Sequence, residues 1–115
     1  MKEITVEELK QWMQECKQFQ LIDIREEKEL VEDGKIESAE HIRMHDILDN
    51  IEKLKKNIPV ILFCRTGERS SSSCQQLVFE DKDLNLYNLT GGIKAWNDLH
   101  GLATPSLLKI QKQSI

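Results

Sequence analysis

Pro59-Val60-Ile61-Leu62-Phe63 runs directly into Cys64-Arg65-Thr66-Gly67-Glu68-Arg69 and then into Ser70-Ser71-Ser72-Ser73-Cys74. The apolar run has no alternation of polar and apolar residues, so it reads as a central strand covered on both faces. The segment after Arg69 places Cys74, Leu77 and Val78 at helical spacing, which predicts a helix from Ser70 to Glu80. The short segment between them, with its single glycine, is then a strand-to-helix loop. In an open α/β sheet that is where ligand sites lie, beyond the carboxyl ends of the strands.

Working outward in both directions, strand-like and helix-like runs alternate. Glu3-Ile4 is a short first strand. Thr5-Val6-Glu7-Glu8 has the spacing of a capping box, and Val6, Leu9, Met13 and Cys16 follow at steps of three and four on one helical face. Phe19 to Ile24 reads as a strand, Arg25 to Glu32 as a helix ending at Asp33-Gly34, and Ala39 to Ile42 as a brief strand. Ile47, Leu48, Ile51 and Leu54 mark an amphipathic helix. Leu86 to Leu89 is the last strand, and Gly91-Gly92 leads into a helix through Ile93, Trp96 and Leu99. This order predicts an α/β domain with a mostly parallel central sheet of about five strands and helices on both faces.

With 115 residues, the chain suits one compact domain, and 39% hydrophobic with 31% charged residues is ordinary for a globular protein. Sixteen basic and 20 acidic residues give a net charge of −4, which argues against nucleic acid or an anionic membrane as the main partner. Acidic residues interrupt the stretch where a signal peptide needs an apolar core, and no apolar run approaches the ~20 residues of a membrane span. The three cysteines are odd in number and widely spaced, so a reduced, cytoplasmic setting is the expectation.

The loop carries the chemistry. Successive amides of a tight turn converge on one point, and a helix N-terminus adds partial positive charge there. Gly67 allows a backbone path that a side chain would obstruct, and Arg65 and Arg69 flank the loop. A cysteine at its mouth is expected to ionise at neutral pH without a histidine base. Cys64 could instead be a small hydrophobe ending a strand, but the glycine, both arginines and the strand–loop–helix context agree on the reactive role. Cys16 and Cys74 are expected to be core residues on apolar helical faces.

These residues resemble the rhodanese family over nearly the whole chain, from Ile4 to about Pro105. Leu21 to Glu26 is similar to the family's early strand ending in Asp-Val-Arg. Gly34 to Ile42 matches its Gly-His-Ile-Pro-Gly-Ala segment in part, with Lys35, Glu37 and Ser38 in place of His, Pro and Gly, and Arg43 where Pro is common. Cys64 to Arg69 resembles the six-residue active loop, and Leu89 to Trp96 the late Gly-Gly…Trp segment. The resemblance implies a single rhodanese domain over residues 1–105 with a short tail over 106–115. It implies a sulfurtransferase in which Cys64 accepts sulfur from thiosulfate or a related small anionic donor and passes it, as a persulfide, to a thiol, cyanide or protein acceptor. Arg65, Thr66, Gly67, Glu68 and Arg69 would bind the donor, with Arg65 and Arg69 orienting it. No cofactor or metal is implied.

Two rivals follow. A cysteine-dependent phosphatase or arsenate reductase uses a similar loop with one residue more between Cys and Arg than the four found here, so its cradle is larger. A protein-to-protein sulfur carrier is compatible with every motif and differs only in its donor. His41, His45 and Asp46 have spacing that a metal could use on a helix, but His41 falls beside a strand, so the rings need not share a face. Asp23 and Arg25 read as structural contacts below the loop, and His100 as a polar group at a helix end.

Overall fold

The computed structural model describes residues 1–100. The expected tail over 106–115 and the domain end at 105 lie outside the described residues. Strands β1 (Lys2–Ile4), β2 (Gln20–Asp23), β3 (Glu40–His41), β4 (Val60–Phe63) and β5 (Leu86–Leu89) form one sheet in the order β1-β5-β4-β2-β3. Every pairing is parallel, and β4 lies at the centre, with Ile61 opposite Leu21 on one side and Tyr87 on the other. Helices α1 (Val6–Gln14), α2 (Glu27–Asp33) and α3 (Glu68–Glu80) lie between strands, and α4 (Gly92–His100) follows β5.

Alternation along the strands divides the core. Ile22, Ile24, Val60 and Leu62 face Cys74 and Leu77 of α3, while Leu21, Ile61, Phe63 and Leu89 face Leu9 of α1 and Ile93 of α4. Burial on both faces explains why β4 is continuously apolar. Each of its four side chains is fully buried, and each contributes about 1.5–3 kcal/mol of apolar transfer.

Three local features differ from the sequence expectation. The segment expected as one amphipathic helix is 3-10 in character, Met44–Asp46 followed by Leu48–Lys53, and the latter is broken internally at Asn50 (φ −119°, ψ 25°). Asn50 donates through Nδ2 to the Asp46 carbonyl at 2.7 Å, a local side-chain bond that competes with the helical ladder. Ile47 and Leu54 are still buried, but Leu48 is exposed. The helix expected from Arg25 begins later, at Glu27, because Arg25 is drawn into the core.

Cys16 is the third. The capping box of α1 forms as expected, with Glu8 N–H donating to Thr5 Oγ1 and Thr5 N–H to Glu8 Oε1. The helix stops at Gln14, however, and Cys16 is exposed instead of continuing the apolar face. Cys16 N–H donates to the Met13 carbonyl at 3.1 Å and Lys17 N–H to the Trp12 carbonyl at 3.0 Å. Those two bonds make a Schellman cap, whose turning residue is usually glycine. Here it is cysteine at φ 56°, the one non-glycine residue with positive φ among the described residues.

Beneath the site, Arg25 is fully buried. It donates to Asp23 through Nε (3.0 Å) and Nη2 (2.8 Å) and to the Gly34 carbonyl at the end of α2 (2.9 Å). The expected structural role of this pair is therefore met: it ties the end of β2 to α2. The ring of His41 lies 2.6 Å from the Arg25 carbonyl, which uses one ring nitrogen in packing.

Two substitutions test this frame. Cys16→Gly removes the left-handed strain and is expected to raise unfolding free energy by about 1 kcal/mol in denaturant titration. At Gly92 (φ 57°) an added Cβ would lie 2.4 Å from the Cys64 carbonyl oxygen. Gly92→Ala is therefore expected to cost about 2–4 kcal/mol by the same measurement.

Candidate active site

Cys64 follows the last residue of β4 and is almost completely buried. Its sulfur accepts from Gly67 N–H at 3.1 Å and Ser70 N–H at 3.4 Å, and Ser70 Oγ lies 3.3 Å away. Gly67 is the N-cap of α3 at φ 106°, so these amides belong to the helix entry. Burial pushes the thiol pKa up. The Ser70 hydroxyl and the amides of Ser70, Gly67 and Thr66 pull it down by more, and it ends below its ordinary value. Amides and a hydroxyl hydrogen-bond the sulfur, and the Arg69 guanidinium interacts with it as well.

The loop takes this shape because its carbonyls are held on the other side. Ile93 N–H donates to the Cys64 carbonyl at 2.9 Å and Lys94 N–H to the Arg65 carbonyl at 3.0 Å, both from the first turn of α4. Asn88 Nδ2 holds the Gly67 carbonyl at 3.1 Å. Only glycine at position 92 lets α4 approach this closely.

Ser70 and Asn88 form a buried polar pair. Asn88 Nδ2 is engaged by the Gly67 carbonyl and the Glu3 carboxylate, so its Oδ1 faces the Ser70 hydroxyl. A serine hydroxyl has one proton. With Cys64 protonated, Ser70 accepts from the thiol and donates to Asn88; with Cys64 ionised, it can donate to the sulfur.

The sequence-predicted loop residues divide by where their side chains go. Gly67 contributes an amide to the sulfur. Arg65, Thr66 and Glu68 are exposed, with Thr66 Oγ1 donating to Glu68 Oε1 at 3.2 Å. Arg65 Nε lies 3.7 Å from Asp33. Arg69 donates through Nη1 and Nη2 to the two oxygens of Glu29, at 2.9 and 2.6 Å. That bond holds the Glu29 carboxyl at about 2 and raises the Arg69 guanidinium. Cys74 is buried as expected, and burial first, then the charge of Glu3, push its thiol up to about 12, so it is not nucleophilic at neutral pH.

Sequence reasoning did not single out Ser70, Asn88 or Glu29. Ser70 had one signal, its place in the helix turn directly after Arg69. Asn88 had another, a lone polar residue inside the apolar strand Leu86-Tyr87-Asn88-Leu89. A cleft of about 710 Å³ lined by Met13, Lys17, Phe19, Lys55, Lys56 and Ile58 opens at the other end of the sheet, before the first residues of β2 and β4.

With this geometry in hand, likeness to known proteins is informative. A model of the rhodanese-like domain matches residues 5–99. The putative sulfurtransferase YtwF of Bacillus subtilis is 38% identical over 96 residues, covering 84% of this chain and 90% of that protein. A sulfurtransferase of Allochromatium vinosum is 35% identical over 100 residues, covering 87% and 91%. The crystal structure of a rhodanese-like domain protein from Staphylococcus aureus matches with a TM-score of 0.78 at 35% identity, covering 92% of this chain and 100% of that one. The chain belongs to the rhodanese-like domain family, among its sulfurtransferases.

Proposed function

We propose that the protein moves a sulfane sulfur from thiosulfate or a related donor to a thiophilic acceptor through a persulfide on Cys64. The observation that carries this reading is the set of amides and one hydroxyl around a buried sulfur whose pKa they lower. The thiolate attacks the outer sulfur of the donor. A new S–S bond forms as the donor's S–S bond breaks, and the electron pair leaves with the donor remnant, which is sulfite when the donor is thiosulfate. The acceptor's nucleophile then takes the outer sulfur and Cys64 leaves as thiolate. Covalent catalysis divides one transfer into two displacements of the same kind.

The same amides serve every stage. They face negative charge on Sγ before attack and on the departing Sγ at the end, and dipoles fixed in advance need no reorganisation. Arg65 to Arg69 supply the backbone of this cradle.

Three experiments test the reading. After incubation with excess thiosulfate, mass spectrometry is expected to find one added sulfur atom on the peptide carrying Cys64 and none on those carrying Cys16 or Cys74. Cys64→Ser should abolish transfer to cyanide, and full activity in that variant would refute the assignment. Ser70→Ala removes a donor to the thiolate, so the pH midpoint of Cys64 alkylation should move upward. Sulfur loading at neutral pH should fall about tenfold or more.

A further inference from the structure

The mouth of the site holds its cations in pairs with carboxylates. Both Nη atoms of Arg69 are engaged by Glu29, at side-chain exposures of 37% and 21%, so the pair is partly withdrawn from water. Two parallel charge-assisted bonds of this kind fix the guanidinium plane and offset part of its charge. Arg65, 58% exposed, reaches toward Asp33. Glu68 adds a further carboxylate on the loop itself. Around Cys64 there are thus two guanidiniums facing three carboxylates, and a thiolate adds another negative charge. A thiosulfate dianion approaching that thiolate meets like charge, and its sulfonate must share Arg69 with Glu29. A donor of the type R–S–SH makes no such demand, because it presents no sulfonate and its terminal sulfur can arrive protonated.

We propose that Glu29 is a specificity-determining residue: by occupying Arg69 it disfavours oxyanionic sulfur donors and leaves organic persulfides as the substrate class of this site. The proposal rests on Cys64 being the sulfur carrier. The step balances: Cys64 thiolate bonds to the terminal sulfur of R–S–SH, the donor S–S bond breaks, and R–S⁻ departs with the electron pair. The transferred sulfur keeps its proton, so Cys64 becomes Cys64–S–SH. The sulfur moves as a sulfane with no external oxidant or reductant.

Glu29→Gln is a suitable probe. Glu29 also accepts from Glu26 N–H at 2.9 Å to start α2, and glutamine retains an acceptor for that bond. Glu32→Gln, on the same helix with an exposed side chain, changes net charge equally without releasing a guanidinium. The measurement is the rate of Cys64 persulfide formation with thiosulfate, with glutathione persulfide and with a persulfidated peptide. Each is taken relative to the same donor reacting with free cysteine.

Wild type is expected to favour the organic persulfides. Glu29→Gln should lower the KM for thiosulfate roughly threefold to tenfold with little change in kcat or in loading from either persulfide. Glu32→Gln should match wild type. Faster loading from glutathione persulfide identifies a small-thiol donor and faster loading from the peptide a protein-borne one; both fit the proposal. It is overturned if wild type shows no preference over thiosulfate, if Glu29→Gln leaves the thiosulfate KM unchanged, or if Glu32→Gln lowers it equally. Absence of loading from every donor would instead refute the sulfur-carrier reading on which the proposal stands.

Discussion

The site depends on one clamp: the first turn of α4 donating to the carbonyls of Cys64 and Arg65. A peptide unit is planar, and in the trans form its C=O and N–H point in opposite directions. Holding the Arg65 carbonyl toward α4 therefore turns the next N–H, that of Thr66, toward the sulfur. Asn88 binds the Gly67 carbonyl and so helps to fix the loop. The cradle is thus a consequence of where the carbonyls go, and α4 sits close enough to take them because Gly92 has no side chain. The central strand sets the other boundary, since its burial on both faces fixes the point at which Cys64 emerges.

The hydrogen-bond donors on the sulfur are mostly amide and hydroxyl dipoles, and each guanidinium near it is paired with a carboxylate. Arg25 is paired with Asp23 inside the core, Arg69 with Glu29 at the mouth, and Arg65 with Asp33 at the rim. A buried thiolate without amide donors would be costly, as Cys74 illustrates. Both cysteines are buried, but only Cys64 meets converging N–H groups, and their thiol pKa values move in opposite directions. Environment, and not residue type, separates the reactive cysteine from the inert one.

Much of this was legible in the sequence because the signals were local. The unbroken apolar run of β4, the glycine two residues past Arg65, and the Thr5 capping box each fix a short stretch of backbone by themselves. What escaped were contacts between distant segments. Glu29 and Arg69 are forty positions apart, and no periodicity links them. Ser70 was read as a helix start, but α3 begins two residues earlier, at Glu68, and the Ser70 hydroxyl faces the sulfur and Asn88. Cys16 fitted an apolar spacing, but the helix ended before reaching it. Asn50 interrupted a helix whose hydrophobic spacing was correct, because its side chain took the carbonyl that the ladder needed.

The central claim is that the loop amides and Ser70 favour the ionised form of the buried Cys64 sulfur without a neighbouring base. It is tested most directly by titrating thiolate absorbance against pH and subtracting the same titration of Cys64→Ser. The account predicts a difference curve whose midpoint lies below the ~8.5 of an ordinary cysteine. A midpoint at or above that value would show that burial outweighs the cradle, and would contradict it.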